Sequence, residues 1–362
     1  MAHRITLIPG DGIGPEVTAA ARAAIEATGV DVAWDRRDVG AVAFERSGRV
    51  LPDGALEAIH GSGVALKGPI ETPPAAEVRN ANVALRQRLD LYANVRPCRR
   101  YDGVPSLYDE VDLIVIRENT EDTYTGIEFE VGTSQVEDLI AFVERAAGVR
   151  IRSDSGISVK SISSFGSDRI VRFAFEEARR SGRRQATAAH KANIMKLSDG
   201  LFLDVARRVA AQYPDVAFDD RIIDALCMQL VASPERFDVL VLPNLYGDIV
   251  AELGAGLIGG SAVAPGAHLG DGLAIFEPTH GTAPRLAGRD RANPVGMLLS
   301  AAMLLRHIGE GAAGDRLESA VAAVVAGGVD VTPDLRAPGD DRRAVGTRRM
   351  AEAVVERLRT DG

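Results

Sequence analysis

Residues 9–17 read PGDGIGPEV, between the short apolar run ITLI and an apolar pattern of helical period. The glycines Gly10, Gly12 and Gly14 resemble part of the G-x-G-x-x-G turn that binds the pyrophosphate of a dinucleotide. However, the third glycine comes one residue early, and Pro15 follows it, where a helix has its first turn. The motif by itself therefore predicts a tight strand-to-helix turn, and it leaves open whether a cofactor binds there.

Outward from this turn, runs rich in Val and Ile alternate with helical patterns. The predicted strands are residues 5–8, 30–35, 64–66, 113–116, 157–162 and 239–243. The predicted helices are residues 15–28, 168–180, 201–212, 248–257, 295–308 and 350–359. This alternation predicts an α/β fold with a largely parallel sheet. Residues 128–164 depart from it with a helical pattern at 136–147 and two short strand-like pieces after it, which indicates a surface excursion or an oligomerisation arm.

Length and composition limit the class of protein. A chain of 362 residues favours about two domains. The net charge of −9 gives no support for nucleic acid or an anionic membrane as a partner, and no stretch approaches the length of a membrane span. Only two cysteines, Cys98 and Cys227, are present, outside any C-x-x-C, and the N-terminal apolar run is too short for a signal peptide. We therefore expect a cytoplasmic location without a disulfide framework or a zinc site.

Acidic residues stand out in two apolar segments. Asp248 and Glu252 lie four residues apart in NLYGDIVAELGAGLIGG, so they share a face of a helix that has no Lys or Arg and is expected to be buried. Buried carboxylates need a cation or a proton, and a hard metal ion is the natural partner. The alternative is that both carboxylates lie near the helix N-terminus, where the helix dipole stabilises negative charge. This accounts for Asp248 better than for Glu252. Asp224, alone in RIIDALCMQL, is either a helix N-cap, which the spacing favours, or a third oxygen ligand.

Three arginines occur in apolar, strand-like surroundings: Arg86 in NVALRQRLDLY, Arg96 in ANVRP and Arg117 in LIVIREN. Surface arginines do not need such surroundings. Guanidinium groups that converge on one cleft would bind a polycarboxylate by bidentate pairs. The alternative is three separate structural ion pairs.

Lysine is rare in this chain, with four residues, while arginine is abundant. Because Lys can lose its proton and Arg cannot, a retained Lys can mark proton chemistry. Lys191 at a predicted strand end and Tyr124 in RENTEDTYTGIE suggest proton transfer next to a carbonyl, although Tyr124 also fits an ordinary half-buried aromatic residue. The loop FEPTHGTAPRLAGRDRANP exposes backbone amides along which a nucleotide could lie, and Gly/Pro-rich segments of this kind are also ordinary loops.

Together, these segments resemble the metal-dependent β-decarboxylating dehydrogenases, the isocitrate/isopropylmalate dehydrogenase family. The resemblance runs from GDGIGPE through LRQRLDLYANVRP, IRENTEDTYTGIE, AHKANIMK, NLYGDI, APGAHLGD and HGTAP to AGRDRANP, and the isocitrate branch is the most similar. It implies two α/β domains with a dimer clasp and not a Rossmann fold, with the nucleotide on the HGTAP loop and PGDGIGPEV as a scaffold turn. The implied domains are residues 1–91 plus 259–362 (large) and 92–121 plus 164–258 (small), with 122–163 as the clasp arm.

The resemblance also implies roles for particular residues. Asn80, Asn82, Arg86, Arg96 and Arg117 would bind a tricarboxylate-like substrate. Asp248 and Glu252, with Asp224 from a partner subunit, would bind Mg²⁺ or Mn²⁺. Lys191 of the partner would help to remove the hydroxyl proton, and Tyr124 would protonate the enolate. The implied nucleotide contacts are Thr72, Asn193, His280, Gly281, Thr282, Ala283, Arg285, Leu286 and Asn293. The active site would therefore be shared within a homodimer.

The expected reaction is the oxidative decarboxylation of isocitrate to 2-oxoglutarate with NAD(P)⁺. Asn80 stands where the isocitrate branch has a serine, which leaves homoisocitrate or a phosphonate analogue as an alternative substrate. Glu252 stands where the family has Asp, and a non-catalytic regulatory subunit is the remaining alternative. The pair Arg285–Leu286 gives mixed signals for the cofactor, because Arg285 suits a 2′-phosphate whereas Leu286, Ala292 and Pro333 differ from the NADP-binding set; we expect NAD, with NADP still open.

Overall fold

A ten-stranded sheet runs through the computed structural model, which describes residues 2–336, 339 and 343–360. The strands β1 to β12 cover His3–Ile8, Val32–Arg36, Val64–Lys67, Ala93–Arg99, Asp112–Glu118, Glu128–Phe129, Ile157–Ser158, Gln185–His190, Ala217–Ile222, Val239–Leu242, Pro265–Gly270 and Leu273–Pro278. The helices α1 to α12 cover Gly14–Ala27, Ala41–Ser47, Asp53–Ser62, Ala81–Arg88, Ser134–Ala147, Ser164–Arg180, Asp199–Ala210, Ile223–Ala232, Asn244–Leu257, Val295–His307, Gly311–Gly327 and Thr347–Thr360.

The strand order of the large sheet is β2-β1-β3-β12-β11-β4-β5-β10-β8-β9. Most neighbours are parallel, but the pairs β12–β11, β11–β4 and β4–β5 are antiparallel. The outer groups of strands therefore run in opposite directions on the two sides of this central region. The sheet continues through the β11–β4 pair, where the sequence predicts the boundary between the two domains, so that division remains a prediction.

Most of the predicted strands and helices are present, with shifts of a few residues. The strand predicted at 157–162 is wrong beyond Ser158. Two strand-like pieces are expected after the arm helix, but the described arm has one strand there, β7, and pairs it with the unpredicted strand β6 before the helix. The helix predicted from Asp248 begins four residues earlier, at Asn244. Several elements escaped prediction, among them β4 and β11, because their polar side chains interrupt the apolar pattern on which strand prediction depends.

The opening turn is a structural junction next to the HGTAP loop. Gly12 has φ 59°, and a Cβ there would collide with the carbonyl oxygen of Thr282. The amide of Ile13 donates to the same oxygen at 2.9 Å. The carboxylate of Asp11 accepts from the amides of Ala41, Val42 and Glu71, at 2.8–3.0 Å. The turn thus supports the HGTAP loop, as expected for a scaffold element.

The strand register places a row of polar side chains on one face of the central sheet. His268 of β11 is paired with both Ile275 of β12 and Asn94 of β4, and Asn94 is paired with Arg117 of β5. Residues two apart on a strand share a face, so Glu277 and Arg96 lie on this same face. All of these polar residues are buried. The sheet therefore carries a polar surface where a protein core would ordinarily be apolar.

The predicted arm at 122–163 contains a second, smaller sheet. Strands β6 and β7 pair in an antiparallel two-stranded sheet, and helix α5 lies between them in sequence. Along α5 only Val136 is buried, while Phe142 is 59% exposed. In the described part of the chain, no helix has the length and apolar character needed to cross a bilayer.

Candidate active site

Arg117 lies at the centre of the site, with 2% of its side chain exposed. Its guanidinium donates to the side-chain oxygen of Asn244, at 2.8 and 3.0 Å, and forms an ion pair with Asp248. It also lies over the ring of Tyr124, 4.8 Å from the ring centroid. The hydroxyl of Tyr124 donates to the other oxygen of Asp248. Strand β5, helix α9 and the 3₁₀ turn Asp122–Thr125 thus meet around one guanidinium.

Two glycines make room for the arginines. A Cβ on Gly247 would lie 2.5 Å from Cγ of Arg117, and a Cβ on Gly266 would lie 2.6 Å from Nη1 of Arg96. Any larger residue at these positions would collide with a buried side chain whose location is fixed by its neighbours.

The three arginines predicted to converge do so. Burial, with the nearby charges of Arg117 and Arg96, lowers the pKa of Arg86 to about 10, so Arg86 remains a cation at neutral pH. Arg86 Nε, Arg96 Nη1 and Asn82 Oδ1 are buried without a hydrogen-bond partner. Buried polar atoms are nearly always paired in folded proteins. These unpartnered atoms therefore indicate a place for a polar ligand, and the alternative of three separate ion pairs does not describe Arg86 and Arg96.

Asp248 and Glu252 share a face of α9, but the expectation that both are buried is wrong, since Asp248 is partly exposed and Glu252 exposed. Helix α9 buries its opposite face, which includes Val250 and Ala251. Asp248 is the fifth residue of the helix, so attraction to the N-terminal dipole does not explain it. Partial desolvation raises the pKa of Glu252, Asp248 raises it further, and Arg96 and Arg117 oppose the shift.

Asp224 and Lys191 form an ion pair with each other, away from this cluster. The favoured N-cap role of Asp224 is wrong, because Ile222 is the N-cap of α8 and Asp224 lies within the first turn. The side chain of Asp224 is 69% exposed, and Lys191 lowers its pKa. Across the described residues, no group of three His, Cys, Asp or Glu side chains is arranged to hold a metal ion within one chain. The predicted metal ligands thus form two separate parts.

The HGTAP loop borders a pocket of about 320 Å³. Of the predicted nucleotide residues, His280, Ala283, Leu286 and Asn293 line it, together with Ala292, Pro333 and Asp334. His280 Nε2 is buried without a partner, and burial lowers the pKa of this histidine. The Asn293 side chain is already engaged, since it donates to Asp334 at 2.8 Å and accepts from the amide of Val295 at 2.9 Å. Gly281, Thr282 and Arg285 belong to the same loop outside the pocket lining.

Two further predicted residues shape the start of α4. Asn80 is its N-cap, with Oδ1 accepting from the amide of Val83 at 3.1 Å, and Thr72 accepts from the amide of Ala81 at 2.9 Å. Asn80 and Tyr124 line one pocket of about 580 Å³.

Asn193 is not brought near the HGTAP loop within the chain. It lies in the exposed turn after β8, together with Lys191. Strand β8 is five strands from β12, which precedes the HGTAP loop. At the usual strand spacing that is about 24 Å.

Several residues of the site escaped sequence reasoning. Asn244 is fully buried against Arg117, and Asn119, His268 and Glu277 lie behind Arg86. The sequence carries one signal, since Asn, His and Glu occur in β-strand segments or next to apolar runs where a surface role is hard to explain. Which of them meet depends on strand register, which the sequence does not reveal.

Comparison with known proteins places this geometry in context. A family model described as isocitrate/isopropylmalate dehydrogenase matches residues 4–354. A Caenorhabditis elegans protein named probable isocitrate dehydrogenase [NAD] subunit alpha, mitochondrial, is 45% identical over 93% of this chain and 88% of its own length. The human isocitrate dehydrogenase [NAD] subunit alpha, mitochondrial, is 44% identical over 91% of this chain and 85% of its own.

Solved structures give the same result. The isocitrate dehydrogenase of Methylococcus capsulatus aligns with a TM-score of 0.89 and 46% identity over 99% of both chains. The TT0538 protein of Thermus thermophilus aligns with a TM-score of 0.87 and 41% identity, over 98% of this chain and 68% of that one. The family resemblance in the sequence and the expected fold are therefore confirmed.

One prediction is corrected by these relatives. The expected cytoplasmic location is wrong by this comparison, because the worm and human proteins are both named as mitochondrial. The cysteine content misled because it reflects a reducing environment, which does not specify a compartment.

Proposed function

Because the chain belongs to the isocitrate/isopropylmalate dehydrogenase family and is a β-decarboxylating dehydrogenase, we propose that it converts isocitrate to 2-oxoglutarate and CO₂ with NAD⁺ and a divalent cation. The observation that carries the proposal is the convergence of three guanidinium groups beside the carboxylates of α9. Arg96 and Arg117 are buried and Arg86 is partly buried, and Arg86 and Arg96 each carry an N–H group without a partner among the described residues. Such a cluster matches a substrate with several carboxylates.

Substrate binding would fall to Arg86, Arg96 and Arg117. The unpartnered Arg86 Nε and Arg96 Nη1 are free to donate to substrate carboxylates, and Asn82 Oδ1 is free to accept from a hydroxyl. Arg117 is already held by Asn244 and Asp248, so it contributes a fixed positive charge more than a flexible contact.

The oxygen donors of Asp248 and Glu252 on one chain, with Asp224 of another, fit Mg²⁺ or Mn²⁺. When bound, the ion would polarise the carbonyl that forms from the substrate hydroxyl and stabilise the negative charge that follows the loss of CO₂. Arg117 and Tyr124 each engage one oxygen of Asp248, and each oxygen keeps a further lone pair for a metal ion.

Lys191 and Tyr124 are the proposed proton-transfer groups. An amine can accept the substrate hydroxyl proton, while hydride leaves for the nicotinamide. The phenol of Tyr124 would then return a proton to the enolate carbon. Partial burial and the hydrogen bond to Asp248 raise the pKa of Tyr124, against the opposing charge of Arg117, which keeps this phenol protonated and able to donate at neutral pH.

A homodimer would unite the two parts of the metal site. Exposed apolar side chains accompany Asp224 on α8 and Asp248 on α9: Met228, Val231 and Ile249. Exposed apolar side chains of this kind favour protein contact. The relatives from worm and human are named as alpha subunits, so their assemblies contain differently named chains.

The test of a shared site mixes two inactive variants. Lys191→Met and Asp248→Asn chains, refolded together, are expected to regain up to about a quarter of wild-type activity, because random pairing leaves one intact site in half of the dimers. Each variant refolded alone serves as the control. No recovery, with mixed dimers present by mass spectrometry, would refute a site shared in this way.

NAD is the proposed cofactor. The pocket beside the HGTAP loop has an apolar wall of Leu286, Ala292 and Pro333, and Arg291 also belongs to its lining. Arg285 is exposed and outside this lining. We expect kcat/KM for NAD⁺ to exceed that for NADP⁺, and Arg285→Ala to leave NAD⁺ use within about twofold of wild type. Arg289→Ala, an exposed arginine of the same loop, is the matched control.

The deciding experiment measures reduced cofactor formed by the purified chain with Mg²⁺ or Mn²⁺. Isocitrate, homoisocitrate, a phosphonate analogue and isopropylmalate are compared. Highest kcat/KM with isocitrate supports the proposal. Preference for another acid would assign the pocket of Asn80 to a different γ-group, and no turnover by a folded, metal-loaded chain would refute an independent catalytic role.

A further inference from the structure

A continuous hydrogen-bonded chain lies behind the predicted substrate site. The buried amine of Lys67 forms an ion pair with Glu277, and the other carboxylate oxygen of Glu277 lies 2.5 Å from Nε2 of His268. Nδ1 of His268 lies 3.1 Å from Nδ2 of Asn119, and Oδ1 of Asn119 accepts from Nη1 of Arg86 at 3.2 Å. The chain therefore links strands β3, β12 and β11 to the guanidinium of a substrate arginine.

The direction of every hydrogen bond in this chain follows from its two ends. Arg86 can only donate, so Asn119 faces it with its oxygen. The amide nitrogen of Asn119 then donates one hydrogen to the carbonyl of Leu91, at 2.9 Å, and the other to His268. Nδ1 of His268 must accept, so the ring proton resides on Nε2 and is donated to Glu277. Only the neutral Nε2–H tautomer satisfies all the partners.

The surroundings keep His268 in this neutral form. The side chain is 2% exposed, and burial lowers its pKa to about 3, although Glu277 acts in the opposite direction. The Glu277 carboxylate is held ionised, because Lys67 and His268 outweigh the effect of its burial and lower its pKa well below the usual range. Protonation of His268 would replace an acceptor with a donor and turn the amide of Asn119 away from Arg86.

We propose that His268 is a positioning residue for substrate binding, which acts through Asn119 to fix the guanidinium of Arg86. In the described part of the chain, Asn119 is the one side chain that accepts a hydrogen bond from Arg86, so its amide orientation sets where the free Nε–H of Arg86 points. The inference rests on the proposed role of Arg86 in binding a substrate carboxylate.

Three substitutions separate this role from general support of the fold. His268→Leu removes both ring nitrogens. His268→Asn keeps an acceptor near the place of Nδ1, where Asn119 donates, but cannot reach Glu277. His268→Gln keeps a donor near the place of Nε2, for Glu277, but offers no acceptor at the place of Nδ1.

The readout is KM against kcat for the acid that the wild-type chain oxidises best. For His268→Leu and His268→Gln, KM should rise about tenfold while kcat changes less than about threefold, because a misplaced guanidinium weakens binding in ground and transition states alike. His268→Asn should restore KM to within about threefold of wild type. Rescue by Gln and not by Asn, or equal KM values for both, would overturn the proposal. If the Leu variant does not fold, the Asn and Gln variants decide.

Two controls locate the effect. His307→Asn alters another partly buried histidine, which packs against Phe276 at a ring distance of 5.4 Å, and it should leave the substrate KM unchanged. In an Arg86→Lys background, His268→Gln should change KM less than about twofold, because the residue it orients is already gone. A full tenfold change in that background would contradict action through Arg86.

Failure of the proposed function would be visible separately, in the wild-type chain. If no acid in the panel is oxidised, titration calorimetry of isocitrate binding gives the same comparison among the variants. The positioning role would still be supported if His268→Gln binds isocitrate more weakly than the wild type and His268→Asn binds it about as well. Unchanged binding in all three His268 variants would overturn it.

Discussion

The two parts of the predicted active site are built in opposite ways. Arg117 is buried and held by a strand, a helix and an aromatic ring. Lys191 and Asp224 form an ion pair near the edge of the sheet, where the Asp224 side chain is 69% exposed. A cation that binds a substrate must be fixed before the substrate arrives, which requires partners on the same chain. A group that serves a neighbouring subunit must instead remain on the surface until that subunit covers it.

The largest effect is expected in the buried part. Arg117→Lys keeps the charge but loses the planar group that contacts Asn244 and Asp248 together. Loss of these charged hydrogen bonds is expected to lower kcat/KM about 10³-fold and to reduce the free energy of unfolding by about 1–3 kcal/mol. Steady-state kinetics and urea unfolding measure both. Arg99→Lys, an exposed arginine on the neighbouring strand β4, should change neither, and a stable, active Arg117→Lys variant would remove the distinction between the two parts.

In the exposed part, a mutation should lower activity without lowering stability. Lys191→Ala is expected to lower kcat about 100-fold, because a proton-transfer group is lost. Its Tm should move by less than about 2 °C, since an exposed ion pair contributes little to folding. Calorimetry and initial rates give the two values. A large drop in Tm would mean that the pair is structural, and Lys196→Ala on the same exposed segment provides the control.

The pH dependence of the free energy of unfolding should come from the buried part of the site, through His268. The folded-state pKa of His268, about 3, is below the ordinary value of about 6.5 for an unfolded chain. Between these values the unfolded state binds a proton that the folded state does not. The free energy of unfolding therefore falls as pH drops below about 6.5, by up to about 1.4 kcal/mol per pH unit from this group.

Urea unfolding between pH 7 and pH 4.5 measures this slope. His268→Asn should reduce it, whereas Lys191→Met should leave it nearly unchanged, because the ion pair of Lys191 with the exposed Asp224 contributes little to folding. An equal slope in wild type and His268→Asn would show that the acid sensitivity comes from other groups.

The smallest effect is expected at Asn80, the N-cap of α4. Asn80→Ser keeps a side chain able to cap α4, so stability should change by less than about 0.5 kcal/mol, whereas Asn80→Ala should cost about 1 kcal/mol. Because Asn80 and Tyr124 line one pocket, the Ser variant should shift the ratio of kcat/KM between isocitrate and homoisocitrate by about two- to tenfold. An unchanged ratio would place Asn80 outside the substrate site.

The sequence predicted those site residues whose charge contrasts with an apolar sequence environment. Arg86, Arg96 and Arg117 are charged residues among apolar neighbours, and their convergence could be anticipated on that ground alone. Asp248 and Glu252 could be anticipated as a metal site from their spacing on an apolar helix, and Lys191 from the scarcity of lysine. The family resemblance added the specific roles of Tyr124 and Lys191 and the assignment of Lys191 and Asp224 to a partner subunit. It also gave the correct fold, since an ordered series of motifs constrains topology more strongly than any one turn.

The contacts that could not be predicted from the sequence depend on strand register, on strand direction and on which face of a helix is buried. His268 meets Glu277 and Asn119 only because β11 runs antiparallel between β12 and β4. The partial exposure of Asp248 and Glu252 likewise depends on which face of α9 packs against the sheet. Local patterns do not determine either of these arrangements.

Gly247 and Gly266 have a consequence for how such a site can diversify. A Cβ on either glycine would collide with Arg117 or Arg96, so a mutation there displaces an arginine that we propose to bind the substrate. That part of the pocket is therefore closed to gradual change. Asn80 is exposed, and several other residue types cap a helix as well as it does. If the proposed substrate roles hold, new substrates are most accessible to evolution through the first turn of α4, with the arginines inherited unaltered.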